Sequence, residues 1–391
     1  MLVAAAAAAA TLVVSACGSG GGSGSGEAGS GGTAADVSFD ARTTLDQAFA
    51  GITFPQPTQG PAAQSGKNVW YLSCLSYPTC RNQVSAFEDA AKTLGWQVNA
   101  LDNKVDPNTA INQIRQAISA KADAIVLNAL DCSKIKTGLD AARAANIPVL
   151  GVSAADCDDP LLGSAAGPEP GFAAVQKLDG TNSVLEYFQL LGRSNAEVTV
   201  AAAVQDGITS PRIMRLAMTD VLYQKMKAEA FDKRVAEICP NCTITPVDLT
   251  LSQMAQQGQQ IFRNAFLQNP TADVVYFPFD AALPAGLQPA LAGAANVKVA
   301  CCGDGQSGSI DFARSAAAHV IVNVSPNTFF GYAQADIINR LLAGQKRADL
   351  PNEGGYVQYL DKTHNMPAPG TAGPPPPYDF VAGYQSVWRN G

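Results

Sequence analysis

The polar residues of one short stretch could bind a small molecule. In residues 125–132, with the sequence IVLNALDC, Asn128 and Asp131 follow a run apolar enough to lie inside a sheet. An amide and a carboxylate donate and accept hydrogen bonds, so this pair could hold the polar groups of a ligand. Local turn capping is the other interpretation, because Asn and Asp also bond to nearby backbone groups in turns.

Residues suited to catalysis or metal binding are few. The chain has two histidines: His319 opens an apolar run and His364 lies in a Pro-rich tail. Neither has a Ser, Cys or carboxylate at the spacing of a catalytic or metal site. The motifs HExxH, GxSxG and GxxxxGKS/T do not occur. CCGDGQSG has the spacing GxGxxG but no acidic partner about 20 residues on, and CPNC does not open a helix after a strand. We therefore predict no enzyme activity, no metal and no cofactor.

Alternating strands and helices must position the polar residues. From residue 67 the apolar runs NVWYLSCL, WQVNALD, DAIVLNAL and IPVLGVS read as strands. Between them RNQVSAFEDAAKTLG, DPNTAINQIRQAISAKA and SKIKTGLDAARAAN have helical spacing, the second with Asp106 as its cap. Short strands without in/out alternation are typical of a parallel sheet covered by helices on both faces.

The pattern returns after a Pro/Gly-rich loop. We predict a helix over TNSVLEYFQLLG, a strand over EVTVAAAV and a helix over RIMRLAMTDVLYQKMKAEA. The strands TITPVDL, ADVVYFPF, VKVACC and HVIVNVS follow, with helices between them. The fold class is therefore α/β, with two doubly wound Rossmann-like lobes, and a short extra helix is expected near Leu45–Ala50. In such folds ligands bind at the carboxyl ends of the strands, where Asn128 stands.

Length, charge and the first residues bound the partners and the compartment. The 391 residues suit two lobes, and a net charge of −7 argues against nucleic acid. The start, MLVAAAAAAATLVVSAC, reads as a secretion signal rather than a transmembrane span. Its end resembles a bacterial lipobox, which implies lipid on Cys17, and a Gly/Ser tether follows. The positively charged segment that usually opens such a signal is absent, which leaves its true start open.

Nine cysteines become eight once Cys17 carries lipid, and an even number suits an oxidising compartment. Bridges within CLSYPTC and within CPNC are plausible, and the cysteines at 132 and 157 could form a third. The adjacent pair at 301 and 302 could form a vicinal bridge or bond elsewhere. Sequence alone does not fix these pairings.

From about residue 68 to 345 the chain resembles the type I periplasmic binding proteins of the ribose and galactose group, the receptors of ABC transporters. The similarity lies in LSYPTC, in ALDNKVDPNTAINQIRQAISAKADAIVLNALDCSKIKTGLDAARAANIPVLGVS, in QDGITSPRIMR, in FPFDAALPAGLQPAL and in VACCGDGQSG. The resemblance implies two lobes joined by three crossovers that close on a small molecule, an ABC permease as partner, and a monomer. A sensor that presents its ligand to a membrane signalling receptor is the alternative.

The resemblance also implies lobe boundaries and ligand contacts. The chain divides into the signal (1–17), a tether and extension (18–66), a first lobe (67–180 and 324–355) and a second lobe (181–323 and 356–391). The ligand contacts that the resemblance implies are Ser76, Thr79, Cys80, Asn128, Ser153, Arg212 or Arg215, Phe279, Asp280, Asp304 and Asn323. The residues themselves add Asp131, from the pair found above, and Tyr77 as a stacking surface. Asp280 could instead cap a helix, and Arg215 could be a solvated helix residue.

Three departures from the family pattern concern the ligand. Sugar-binding members usually have Asp-Arg where this chain has Ser153-Ala154, an Asn where it has Phe279, and an aromatic pair where it has Thr79-Cys80. Each unmatched sugar hydroxyl would cost about 1–3 kcal/mol. The ligand is therefore expected to be sugar-like or a less polar, aromatic-containing molecule, and its identity stays open.

Overall fold

The computed structural model describes residues 41–369 and 373–391. Its strands are β1 (Ile52–Phe54), β2 (Asn68–Ser73), β3 (Gln97–Asp102), β4 (Ala124–Asn128), β5 (Val149–Val152), β6 (Ala174–Val175), β7 (Arg212–Met218), β8 (Thr243–Leu249), β9 (Val274–Phe277), β10 (Val299–Cys302), β11 (His319–Val324) and β12 (Gly355–Leu360). Its α-helices are α1 (Ala41–Ala50), α2 (Pro78–Leu94), α3 (Pro107–Ser119), α4 (Cys132–Ala144), α5 (Val184–Gln205), α6 (Leu222–Ile238), α7 (Leu251–Gln268), α8 (Gln288–Ala292), α9 (Ser307–Ser315), α10 (Asn327–Leu342) and α11 (Phe380–Asn390).

The first lobe is built on a five-stranded parallel sheet in the order β3-β2-β4-β5-β6. Successive residues of a strand point to opposite faces, so both faces must be covered. In β2, Val69 and Tyr71 pack with α2 and α10, whereas Trp70 and Leu72 pack with α3 and α4. The predicted cap of α3 is confirmed, because the Asp106 carboxylate accepts a hydrogen bond from the Thr109 N–H at 2.7 Å.

The second lobe is built on a seven-stranded sheet in the order β1-β12-β11-β10-β9-β7-β8. The strands β8, β7, β9, β10 and β11 are parallel, and β12 and β1 add antiparallel at one edge. One face packs against α5 and α6, and the other against α7, α8 and α9. The predicted fold class, two doubly wound α/β lobes with parallel sheets, is confirmed.

The predictions for residues 197–204 and 212–218 are wrong. EVTVAAAV, predicted as a strand, is the second half of the 22-residue helix α5, and RIMRLAM, predicted as the start of a helix, is the strand β7. A β-branched run read alone favours a strand. In α5, however, that run is buried between α6 and the sheet, where a helix that is apolar on several sides is stable.

Segments from both ends of the described chain cross between the lobes. After β1 in the second sheet, residues 55–66 pass over the first lobe, where the Gln64 N–H donates to Asn339 Oδ1 of α10 at 2.8 Å. After β12, the chain returns to the first lobe as α11, whose Trp388 Nε1 donates to Asp336 Oδ1 of α10 at 2.7 Å. The predicted lobe boundaries stay predictions, and these contacts favour grouping α11 with the first lobe rather than, as predicted, with the second.

The structure joins the eight described cysteines into four disulfides. The pairs are Cys74–Cys80, Cys132–Cys157, Cys239–Cys242 and Cys301–Cys302. The first bridge closes the turn between β2 and α2, and the second joins the start of α4 to the loop after β5. For the adjacent cysteines, the structure has the vicinal bridge.

Candidate functional site

A cavity of about 550 Å³ lies between the carboxyl ends of the two parallel sheets. The first lobe lines it with the turn after β2 and with residues that follow β4, β5 and β6. The second lobe lines it with residues that follow β7, β8, β9 and β10, and the crossover after β11 contributes Ser325 and Asn327. This volume is in the range of small-molecule sites. The strand ends of both sheets therefore face one shared hollow, as expected for doubly wound folds.

Nine of the thirteen predicted contact residues line this cavity. They are Ser76, Tyr77, Thr79, Cys80, Asn128, Ser153, Phe279, Asp280 and Asp304. Their role in binding a ligand stays a prediction.

The structure places four predicted contacts away from the cavity. Asp131 is half-buried and accepts a hydrogen bond from the Ala155 N–H at 3.0 Å, which ties the loops after β4 and β5 together. Arg212 is exposed at the start of β7, the opposite end of the strand from the cavity, and pairs with Asp273. These placements favour local structural roles over ligand contact.

Arg215 and Asn323 are the other two. Arg215 lies in the middle of β7 and pairs with Asp232 at 2.9 Å and with Asp248 at 2.5 Å. A helix after a strand was predicted here. Because residues 212–218 are themselves a strand, Arg215 lies in mid-strand and not beyond a strand end at the cavity. Asn323 is buried within β11 and does not line the cavity.

Five buried amides of the first lobe and its crossovers bond to one another, and we call them the amide network: Gln83, Asn128, Gln176, Asn327 and Gln334. Gln83 Nε2 donates to Asn327 Oδ1 at 3.0 Å, and Asn128 Nδ2 donates to Gln83 Oε1 at 3.3 Å. Gln334 Nε2 donates to Gln176 Oε1 at 3.3 Å. The network fixes Asn128 in place and also uses much of the hydrogen-bonding capacity on this side of the cavity.

Four rings form an aromatic wall: Tyr187, Phe188, Tyr223 and Phe330. Phe188 stacks on Tyr223 with ring centroids 4.4 Å apart and meets Tyr187 edge to face at 5.3 Å. Tyr187 in turn meets Phe330 edge to face at 6.1 Å. All four rings line the cavity. Such a wall offers an apolar body a large contact area.

The segments that follow β9 and β10 add the carboxyl groups of Asp280 and Asp304 to the cavity lining. Asp280 is buried, and its carboxylate accepts hydrogen bonds from the Asp304 and Gln306 N–H groups, each at 2.6 Å, and from Ser309 Oγ at 2.7 Å. Burial, followed by the neighbouring Asp304 carboxylate, raises the pKa of Asp280. Because its oxygens are already occupied, Asp280 holds the turn that carries Asp304 and has little capacity left for a ligand.

Three residues at this end have unused hydrogen-bonding capacity, and we call them the polar end: Gln224, Lys227 and Asp304. Lys227 is 2% exposed, and within the described residues its Nζ donates one hydrogen bond, to the Pro278 carbonyl oxygen at 2.9 Å. Burial lowers the pKa of the Lys227 ammonium, against the opposing effect of Asp304 and Asp280. Gln224 is 5% exposed and its Oε1 has no partner in the described structure.

Sequence reasoning missed all four rings of the aromatic wall and two of the three residues of the polar end, Gln224 and Lys227. Gln224 and Lys227 lie one turn apart on α6. Site residues were predicted from their position at the end of a strand, so residues within a helix could not be found in that way. The one available signal was the pair of polar residues at helical spacing in YQKMK, which sequence alone does not distinguish from a solvated face. Nothing in the sequence indicated direct contact between the lobes, such as the hydrogen bond that Asn82 Nδ2 donates to Gln306 Oε1 at 2.8 Å.

Comparison with known proteins identifies the family. A family model for the periplasmic binding protein domain matches residues 79–346, more than half of the chain. A sequence search of curated proteins found no match.

Solved structures share the fold at low sequence identity. An ABC transporter solute binding protein from Mycobacterium smegmatis with bound glycerol is 18% identical, with a TM-score of 0.60, over 80% of this chain and 99% of that one. A solute binding protein from Agrobacterium vitis with bound allitol is 18% identical, with a TM-score of 0.59, over 76% and 96%. The XylFII-LytSN complex is 17% identical, with a TM-score of 0.60, over 76% and 98%. With the strand order, the shared cavity and the family match together, the chain belongs to the periplasmic binding protein domain family and has its type I fold.

Proposed function

We propose that this protein captures a small molecule in the cavity between its lobes and delivers it to an ABC importer. One observation carries the proposal: both sheets direct their carboxyl ends at a single cavity of about 550 Å³. The similar proteins from Mycobacterium smegmatis and Agrobacterium vitis, described as ABC transporter solute binding proteins with bound glycerol and allitol, support this choice of function.

The proposal is for binding without turnover. His319 lies between Asp206 and Asp361, with 3.2 Å to each, and His364 stacks on Phe49. Neither histidine lines the cavity. The cavity therefore has no imidazole base to activate a nucleophile, and its side chains suit reversible hydrogen bonding and stacking.

We place the protein outside the cytoplasm, held at the membrane by lipid on Cys17, which lies outside the described residues. No described helix has the length and apolar character to cross a membrane. Replacing Cys17 by Ser should move the protein from the membrane fraction to the soluble fraction of cells. We also expect a monomer, which sedimentation of the purified protein would test.

A thermal-shift screen tests the binding function. The panel comprises sugars, polyols, nucleosides, aromatic acids and steroids, and a ligand at 100 times its dissociation constant should stabilise the native state by about 2.7 kcal/mol. Thr79→Trp, which adds bulk at the cavity, should abolish the shift. Ser85→Trp, at an exposed position of the same helix, is the matched control and should retain it. No shift across the panel would contradict the proposal.

A ligand sensor is the second candidate, because one similar structure is the XylFII-LytSN complex. In that case the lobes would close on the same ligand but present it to a membrane signalling receptor. Cells lacking the gene distinguish the two functions. An importer receptor is required for uptake of the ligand, whereas a sensor is required for the transcriptional response and leaves uptake intact when it is lost.

A further inference from the structure

The polar end can bind a ligand group that both donates and accepts a hydrogen bond. The Lys227 ammonium has three N–H donors and uses one of them, on the Pro278 carbonyl oxygen. The buried Gln224 Oε1 is an acceptor without a donor. The two residues are three positions apart on α6 and so share one face of the helix. A buried polar atom left without a partner costs free energy, so a ligand that supplies the partner gains affinity.

The charges around Lys227 favour a neutral group. Within the described residues, the Asp304 carboxylate accepts one hydrogen bond, from the Asp280 N–H at 3.2 Å, and keeps further acceptor capacity. Lys227, Asp280 and Asp304 all line the cavity, so an anionic ligand would meet the two carboxyl groups and a cationic ligand would meet the Lys227 ammonium. A hydroxyl can accept from Lys227 and donate to Gln224 or Asp304 without adding charge to this site.

The remainder of the cavity suits an apolar body. The aromatic wall continues through four rings, and the neighbouring lining side chains of Leu178, Val184, Leu191, Met218 and Met254 are aliphatic or thioether groups. On the first-lobe side, four members of the amide network, Gln83, Asn128, Gln176 and Gln334, donate to acceptors of the network itself or to backbone. A monosaccharide with hydroxyls on every edge would leave several of them unmatched there, whereas a ring system with few hydroxyls would not.

We propose that the ligand is a neutral amphipathic ring compound, with its apolar body against the aromatic wall and a hydroxyl bound by Gln224, Lys227 and Asp304. This inference rests on the proposed binding function and specifies the class of ligand. It separates this protein from a receptor for simple pentoses or hexoses.

Four probes of matched size or polarity test the ligand class by calorimetry: 2-naphthol, its ether 2-methoxynaphthalene, the anion 2-naphthoate, and galactose. The ether retains the rings and lacks the donor, so 2-naphthol should bind at least about tenfold more tightly, as expected for a hydrogen bond to a charged group. The anion should bind more weakly than 2-naphthol, and galactose should bind most weakly.

Variants on one helix locate the hydroxyl. Gln224→Leu removes an acceptor for the hydroxyl proton, which the ether lacks, and should lower the ratio of the two affinities. Lys227→Met removes a donor that both ligand oxygens can accept from, and should weaken the binding of 2-naphthol and of its ether by a similar factor of about tenfold. Lys225→Met removes a lysine from an exposed position of the same helix and should leave both affinities unchanged. If Lys227→Met does not fold, the Gln224→Leu ratio remains as the test.

The outcomes separate this inference from the function on which it rests. Tighter binding of galactose than of 2-naphthol, equal binding of 2-naphthol and its ether, an unchanged ratio in Gln224→Leu, or an unchanged 2-naphthol affinity in Lys227→Met overturns the ligand class and leaves a solute receptor in place. If none of the four probes and no compound of the thermal-shift panel binds, both proposals are overturned.

Discussion

Replacing Asp179 by Asn should stabilise the protein, and more so at alkaline pH. Asp179 lies in the segment between β6 and α5, which passes from the first lobe to the second. It is 3% exposed, and both its carboxylate oxygens lack a hydrogen-bond partner in the described structure. Its N–H donates to the Gly354 carbonyl oxygen, in the segment between α10 and β12, at 3.0 Å. Its φ of 49° lies in the left-handed region, which Asn also adopts at low cost. The substitution therefore changes the charge and preserves the shape.

The size of the effect follows from the pKa. Burial raises the pKa of Asp179 from 3.8 to about 7. Between these values the native state holds a proton that the unfolded state has released, so the free energy of unfolding falls as the pH rises through this window. A rise of about three pH units corresponds to ~4 kcal/mol in full. Because part of that penalty is already present at pH 5, Asp179→Asn should stabilise the protein by about 2–3 kcal/mol more at pH 8.5 than at pH 5.

Guanidinium unfolding at the two pH values measures this difference. The midpoint should shift while the slope with denaturant stays constant. The cost of burying the neutral amide is the same at both pH values, so it cancels from the comparison. Asp46→Asn, at an exposed position of α1, controls for the loss of one negative charge. An equal change in the free energy of unfolding at both pH values would refute the reasoning. It would mean that ionising Asp179 costs the native state nothing, and therefore that its carboxylate has a hydrogen-bond or ion-pair partner.

Three further substitutions test other contacts. The pKa of His319 is raised, chiefly by its hydrogen bond with Asp361. The stabilisation that protonated His319 gives the native state is therefore present below pH ~6.5 and is lost as the pH rises through the folded-state pKa. His319→Gln should lower Tm more at pH 5.5 than at pH 9. Arg215→Met leaves its two aspartate partners unpaired and should cost about 2–3 kcal/mol in denaturant unfolding, less than a fully buried pair because both partners are partly exposed. Replacing Cys74 and Cys80 by Ala opens a short loop and should lower the free energy of unfolding by about 2 kcal/mol. Reductant cannot lower it further through this bridge, because the variant lacks it. A Tm equal to that of the parent would contradict this expectation.

The strands β2 to β5 and the helices α2 to α4 of the first lobe could be predicted closely because each has a local signal, whereas β6 and α11 were not predicted. Asp106 and Pro107 mark the start of α3, and the short apolar strands are separated by helices with one apolar stripe. The second lobe was predicted less well, since α5 is buried along much of its length and has no clear polar face. The periodicity of such a helix is weak, and its Val-rich half has the composition of a strand.

The same physical limit applies to the site. Residues that follow strands, such as Asn128 and Asp304, could be placed at the cavity because parallel strands end at one edge of their sheet. Lys227 could not, because only tertiary packing decides whether a lysine on a helix faces solvent or a cavity. Arg215 shows the opposite error. Because its strand was predicted to be a helix, a residue that forms a structural ion pair was predicted to contact the ligand.

The contacts of α10 determine when the first lobe can be completed during synthesis. The Ala63 N–H, from the early part of the chain, donates to the carbonyl oxygen of Trp388 at 3.0 Å, and the Trp388 ring stacks on Tyr332 of α10. The ribosome adds Trp388 more than 300 residues after Ala63, so a first lobe that has begun to fold lacks part of its core until α11 has been made. The final packing of the first lobe therefore waits until most of the second lobe has been synthesised.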